Sequence, residues 1–223
     1  MEREIDLKEI SDGKLYSAND MVKAGCHDCT GCSLCCHGMG NSIILDPYDI
    51  YQLEKGLSVS FEELMADKIE LNVVDGIIQP NIKMQEKKDC CAFLNEEGRC
   101  SIHTFRPGFC RMFPLGRIYE ENDFHYFLQV HECPYPNKTK VKVKKWLELP
   151  ELSRYEAYVK KWHYFLKAAQ KVIREAENDA VVKNLNMYLL KQFYIKPYET
   201  AEENGKDFFG QFEERLKEAE TVI

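Results

Sequence analysis

At 223 residues the chain can bury a core of its own, so its ten cysteines are not needed merely to keep it folded. A hydrophobic share of 44% beside 30% charged residues is that of a globular protein and excludes a disordered one. A formal net charge of −7 argues against a dedicated nucleic-acid binder, which needs a cationic face for phosphates.

The first eight residues, Met1 to Lys8, are charged and mixed in sign, with no apolar stretch of the kind a secretory signal requires. No run approaches the roughly 18 apolar residues of a membrane span. The expectation is a cytoplasmic protein with no membrane association. In a reducing compartment, cysteines serve as ligands or catalytic thiols rather than as disulfides.

Residues 17–25 are expected to form a short helix leading into Cys26. Asp46-Pro47 is a helix start, with Asp as N-cap and Pro in the first turn, for a helix running to about Lys55. Ser60 and Glu63 fit a capping box for a second short helix ending near Lys68. From Ile69 to Lys83 two apolar stretches flank Asp75-Gly76, a hairpin signal. Two further hairpins are expected in the cysteine- and turn-rich stretch 90–136. One turns at Asn95-Glu96-Glu97-Gly98; the other pairs Leu115–Tyr119 with Phe124–Val130 through Glu121-Asn122-Asp123.

Beyond Glu151 the period is helical. Leu152, Tyr155, Val159, Trp162, Leu166, Ala169, Ile173 and Ala176 alternate spacings of three and four, which predicts a helix of about 39 Å. A second helix is expected over Asp179–Phe193, stopped before Pro197. A third, after Gly205, carries Phe208, Phe209, Phe212 and Leu216 on one side. Such aromatic spacing is the signature of core packing rather than of a cofactor box.

Every cysteine falls in one of two blocks. The first is Cys26-x2-Cys29-x2-Cys32-x2-Cys35-Cys36; the second holds Cys90-Cys91, Cys100, Cys110 and, further on, Cys133-Pro134. Two residues between cysteines let the chain wrap a metal, bringing both sulfurs to one centre while the intervening amides point at them. Zinc knuckles and iron–sulfur loops both use this spacing. Successive Cys-x2-Cys steps are similar to a bacterial ferredoxin loop, but the last step here is x2 and Cys36 is not followed by proline. Arg99, Arg106, Arg111 and Arg117, beside Cys100 and Cys110, are candidates to offset thiolate charge.

These motifs resemble the YkgJ-like cysteine-cluster family of zinc- or iron-chelating domains. Cys29-Thr-Gly-Cys32-Ser-Leu-Cys35-Cys36 matches its opening Cys-x2-Cys-x2-Cys-Cys motif. Cys91-Ala-Phe-Leu, Gly98-Arg-Cys100-Ser-Ile and Arg106-Pro-Gly-Phe-Cys110-Arg-Met-Phe-Pro114 match its second signature. The likeness covers about residues 26–136. It implies as metal ligands Cys29, Cys32, Cys35, Cys36, Cys91, Cys100, Cys110 and Cys133, enough for two four-thiolate sites or for one site with spare thiols. Cys26 and Cys90 fall outside its pattern. The family is similar in cysteine pattern to flagellin lysine N-methylases, which implies a cluster-containing protein-modifying enzyme, yet no glycine-rich nucleotide or S-adenosylmethionine loop is found here.

Of the six histidines, His27, His37, His103 and His131 lie near the cysteine blocks and could act as ligands, whereas His125 and His163 are expected to be structural. Lys138, Lys140, Lys142, Lys144 and Lys145 fit a solvated edge strand better than a phosphate or acidic-partner contact. No paired-carboxylate or Ser-His-Asp signature is present.

The expected architecture is α+β: a cysteine-rich, metal-centred core over residues 1–137, then a helical segment over residues 138–223 packed on it. The expected function is that of an iron–sulfur protein carrying one or two [4Fe–4S] clusters, with a redox or protein-modifying role and a redox or protein partner. The alternatives are a zinc-stabilised binding module without catalysis and a metal storage or delivery protein.

Overall fold

The computed structural model describes residues 6–26 and 32–223. It is an α+β fold of small antiparallel sheets and helices. A short helix α1 (Leu7–Ile10) leads into β1 (Ser11–Tyr16), and β2 (Met21–Gly25) ends just before Cys26. The expected helix over 17–25 is therefore corrected to a strand. Along β2 the buried residues are Val22 and Ala24, a period of two. Its partner, β9 (Thr139–Lys142), lies far along the chain, with Gly25 opposite Thr139.

Local signals set the next elements. Helix α2 (Pro47–Leu57) begins with a reciprocal capping box between Asp46 and Asp49 and carries Pro47 in its first turn. Helix α3 (Phe61–Asp67) begins with the Ser60/Glu63 box. Strands β3 (Ile69–Val74) and β4 (Ile77–Ile82) form the expected hairpin. Its turn residues Asp75 and Gly76 have φ of +50° and +88°, the left-handed pair that a two-residue hairpin loop demands.

Two very short strands, β5 (Met84–Gln85) and β6 (Cys90–Cys91), pair across the next turn. The turn at 95–98 closes through Asn95 N to Arg99 O (2.9 Å), and a bridge joins Leu94 to Cys100. Helix α4 (Gly108–Met112) follows. Strands β7 (Leu115–Glu120) and β8 (Asp123–Gln129) then form a hairpin whose two turn residues, Glu121 and Asn122, both have positive φ. With β1 they make a three-stranded sheet in the order β1-β8-β7.

Residues 138–223 begin with β9 and α5 (Val143–Leu147), which pack with β2 and α4. Helices α6 (Leu152–Glu175), α7 (Asp179–Leu190), α8 (Ala201–Asn204) and α9 (Phe208–Glu220) follow, with a π-helical turn over Lys191–Ile195 that carries α7 on to just before Pro197. The aromatic stripe is core. Phe208, Phe212 and Leu216 are buried, and Phe212 meets Tyr158 edge-on at 4.6 Å between ring centroids. One continuous apolar cluster runs from Tyr16 through Trp162 to Ala219, so the sheets and the C-terminal helices share one core. Among the described residues no helix is long and apolar enough to cross a membrane.

Candidate metal centre

The two cysteine blocks are stitched together by backbone pairing. Cys35 and Cys36 lie in a 3₁₀ turn (Leu34–Cys36), after which His37 bridges Cys90 and Gly38 N donates to Asp89 O at 3.0 Å. The chain then runs along β4, with Ile82 N donating to Ile43 O at 3.0 Å and Leu45 N to Pro80 O at 2.9 Å. The first block is thereby laid against β6 and the turns that follow it.

Cys26, Cys32, Cys35, Cys36, Cys91, Cys100 and Cys110 consequently line one cavity of about 360 Å³. Cys29 and His27 lie outside the described residues. Cys133 does not line the cavity; it sits in the loop before β9, where its carbonyl accepts from Lys138 Nζ at 2.5 Å. Cys90 is buried but does not line the cavity either, since neighbours on a strand point to opposite faces and Cys91 is the one turned inward. Cys26, which the cysteine pattern leaves out, is 2% exposed and forms part of the wall. Its only sequence signal is the x2 spacing to Cys29.

Amides approach two sulfurs of the second block, outside the Cys-x2-Cys steps. Phe93 N donates to Cys91 Sγ at 3.4 Å, and the Ile102 amide donates to Cys100. Cys110 sits on α4, whose first amide, Gly108 N, donates to the buried Asp49 Oδ1 at 2.8 Å. Asp49, the third residue of α2, thus ties the Cys110 helix to the capping box of α2. Burial holds the Asp49 carboxyl well above the usual carboxylate range, with Asp46 adding to the effect.

The thiols are crowded enough to resist ionising together. Burial raises Cys110 well above the usual thiol value, and Cys91, Cys100 and Cys35 reinforce this. Cys91 is pushed up to about 11 by burial. Cys35 is raised first by its hydrogen bond with Cys36 and then by burial. Cys100 rises by burial, against the opposing pull of Arg106. A metal cation bound among such thiols reverses this balance, because it binds and stabilises the thiolate form. The donor set therefore fits the soft-thiolate chemistry of zinc or iron. Among the described residues no three Cys, His, Asp or Glu side chains are already drawn together into a ready-made group; the thiols ring a cavity instead.

Cationic side chains share the wall. Arg99, Arg106, Arg111 and Lys145 line it, as does His103, whose imidazole is held low by burial and by Arg106. Arg106 donates to His103 O at 2.6 Å and pairs with Glu148 at 3.1 Å, and Arg111 donates to Thr104 O at 2.5 Å. Arg117 is not part of this wall. It lies on β7 among the rings of Phe124, Tyr126 and Tyr155. His163 stacks flat on Tyr119 at 3.6 Å, the structural role expected of it, and His131 is exposed outside the cavity.

A family model named CxxCxxCC, described as "Putative zinc- or iron-chelating domain", matches residues 28–144, just over half of the chain. No curated protein and no solved structure matches the chain.

Proposed function

The chain belongs to the CxxCxxCC family of zinc- or iron-chelating domains, and from that premise we propose that it holds one iron–sulfur cluster in the thiol-lined cavity. The observation that carries this reading is the convergence of seven thiols from both blocks on a single cavity of about 360 Å³. A zinc ion and a [4Fe–4S] cluster each take four thiolates, but one tetrahedral zinc ion fills little space, so the volume of the cavity is what favours a cluster. The ligands proposed are drawn from Cys29, Cys32, Cys35 and Cys36 of the first block and Cys91, Cys100 and Cys110 of the second. Cys26 is a further candidate, and Cys133, outside the cavity, is the weakest of the eight that the resemblance implies.

Four thiolates around a [4Fe–4S]²⁺ core leave a formal charge of about −2. Arg99, Arg106, Arg111 and Lys145 stand where they offset it. When bound, a cluster supplies one-electron chemistry or a site for activating a substrate, so the proposed role is redox or protein-modifying in a cytoplasmic setting. Zinc is the competing reading, favoured by the Cys-x2-Cys steps, which suit a zinc knuckle equally well.

The test is anaerobic purification followed by metal and acid-labile sulfide analysis. Brown protein with iron and sulfide in comparable amounts is expected. Colourless protein with stoichiometric zinc after the same handling overturns the cluster reading and makes the chain a zinc-stabilised module.

A further inference from the structure

Residues 138–145 carry five lysines and no acidic residue, in a chain whose formal net charge is −7. The fold sets this stretch against the thiol cavity. Thr139, Lys140 and Val141 of β9 and Lys145 of α5 line that cavity, as do Gly25 and Cys26 at the end of the paired strand β2. In the β2–β9 ladder Val22 lies opposite Val141 and Met21 opposite Lys142. Val22 is buried, so the alternation along the strands turns Met21 and Lys142 outward. Lys23 and Lys140, two residues along from these, are exposed as well.

Protection of a sheet edge from stray pairing accounts for lysines on β9 but not for the whole patch. Lys144 and Lys145 stand exposed on α5, a helix with no edge to protect. Among the described residues no ion pair engages Lys23, Lys140, Lys142, Lys144 or Lys145. Beside these charges Met21 is 48% exposed, a flexible apolar side chain of the kind that adaptable binding surfaces use.

The chemistry of the patch selects its partner. Recognition of phosphate favours the planar fork of arginine, whereas the exposed cations of β2, β9 and α5 are all lysines. A long polyanion would also meet the negative charge of the rest of the chain. Hydrated point charges around an exposed apolar residue suit a compact acidic protein surface instead. We propose that the face formed by β2, β9 and α5 docks the acidic surface of a partner protein, bringing that partner to the wall of the thiol cavity. This deepens the function proposed above, and rests on it in taking that cavity as the functional centre.

The test uses the full chain as purified, with metal and sulfide measured on the same sample. The probes are an acidic plant-type [2Fe–2S] ferredoxin and poly-L-glutamate, with duplex DNA and phosphatidylserine vesicles as the competing polyanions. Binding is followed by calorimetry at low salt and at about 0.15 M, where screening shortens the reach of exposed charges. Saturable binding of the ferredoxin, weaker at the higher salt and tighter than to DNA or vesicles, is expected. Lys142→Glu/Lys144→Glu is expected to weaken it at least tenfold with metal content unchanged, since neither side chain lines the cavity. Lys183→Glu, on α7, is expected to leave it unchanged. Circular dichroism reports folding; if the double charge reversal does not fold, Lys142→Gln/Lys144→Gln, which only removes the charges, is expected to weaken binding severalfold. Absence of saturable binding to both acidic probes, unchanged affinity in a folded double variant, an equal loss in Lys183→Glu, or preference for DNA or vesicles overturns the proposal. Zinc in place of iron and sulfide overturns the cluster reading alone, and failure to dock with the cluster in place overturns the docking face alone.

Discussion

Glu54 shows how a single titrating side chain couples this fold to pH. It lies on the half-buried face of α2, and its carboxyl is pushed up to about 7, chiefly by burial, with Glu62 adding to the rise and the Phe61 amide opposing it. The folded state therefore binds this proton more tightly than the unfolded chain, where the ordinary value is 4.5. Its contribution to stability is fully present below that unfolded value and is lost as pH rises through about 7. Glu54→Gln removes the ionisation while keeping the shape. The variant should gain stability relative to the parent when urea unfolding is compared at about pH 5 and about pH 8. An identical difference at both pH values would show that burial does not hold this carboxyl protonated.

Between elements, close backbone approach is what places Cys110. Gly108 opens α4 where a Cβ would lie 2.1 Å from Tyr155 Oη, so the helix can seat against α6 only with glycine there. Gly108→Ala is expected to destabilise the protein by about 1–3 kcal/mol through overpacking, and to lower metal content by displacing Cys110. Tyr155→Phe removes the clashing oxygen, after which the nearest ring carbon is 3.3 Å away. The double variant Gly108→Ala/Tyr155→Phe should therefore recover part of the loss, as measured by denaturant midpoint in a double-mutant cycle. Purely additive effects would mean that the contact does not govern the seating of α4. A similar constraint holds at Gly25, where a Cβ would meet Thr139 Oγ1 at 2.4 Å and pry β2 from β9.

The whole molecule combines a thiol-lined cavity built from turns and short strands with an aromatic bundle of long helices. Metal binding to thiolates contributes about 10 kcal/mol or more in small structural sites, far above any single packing contact. Cys32→Ser and Cys110→Ser should each lower metal content. They should also open residues 32–45 and 86–113 to protease while the bundle of α6, α7 and α9 stays resistant, held by contacts such as Trp162 to Phe193 at 4.8 Å. His163→Ala should spare the metal, since that ring stacks on Tyr119 away from the thiols. Full metal occupancy in both serine variants would transfer the ligand role to other cysteines, with Cys26 first because it already lines the cavity.

Features with short-range causes were open to inspection in the sequence. The capping boxes at Asp46 and Ser60, the Asp75-Gly76 turn, the helical stripe from Leu152 and the cysteine steps each depend on residues within a few positions of one another. The family likeness, carried by those same cysteine steps, pointed to a zinc- or iron-chelating domain. What only the tertiary structure decided has long-range causes. Residues 21–25 are a strand because β9, more than a hundred residues on, pairs with them, and a short apolar stretch carries no mark of a distant partner. The same pairing brings Cys26 to the cavity wall, whereas Arg117, close in sequence to Cys110, is carried off by β7 into a ring of aromatics.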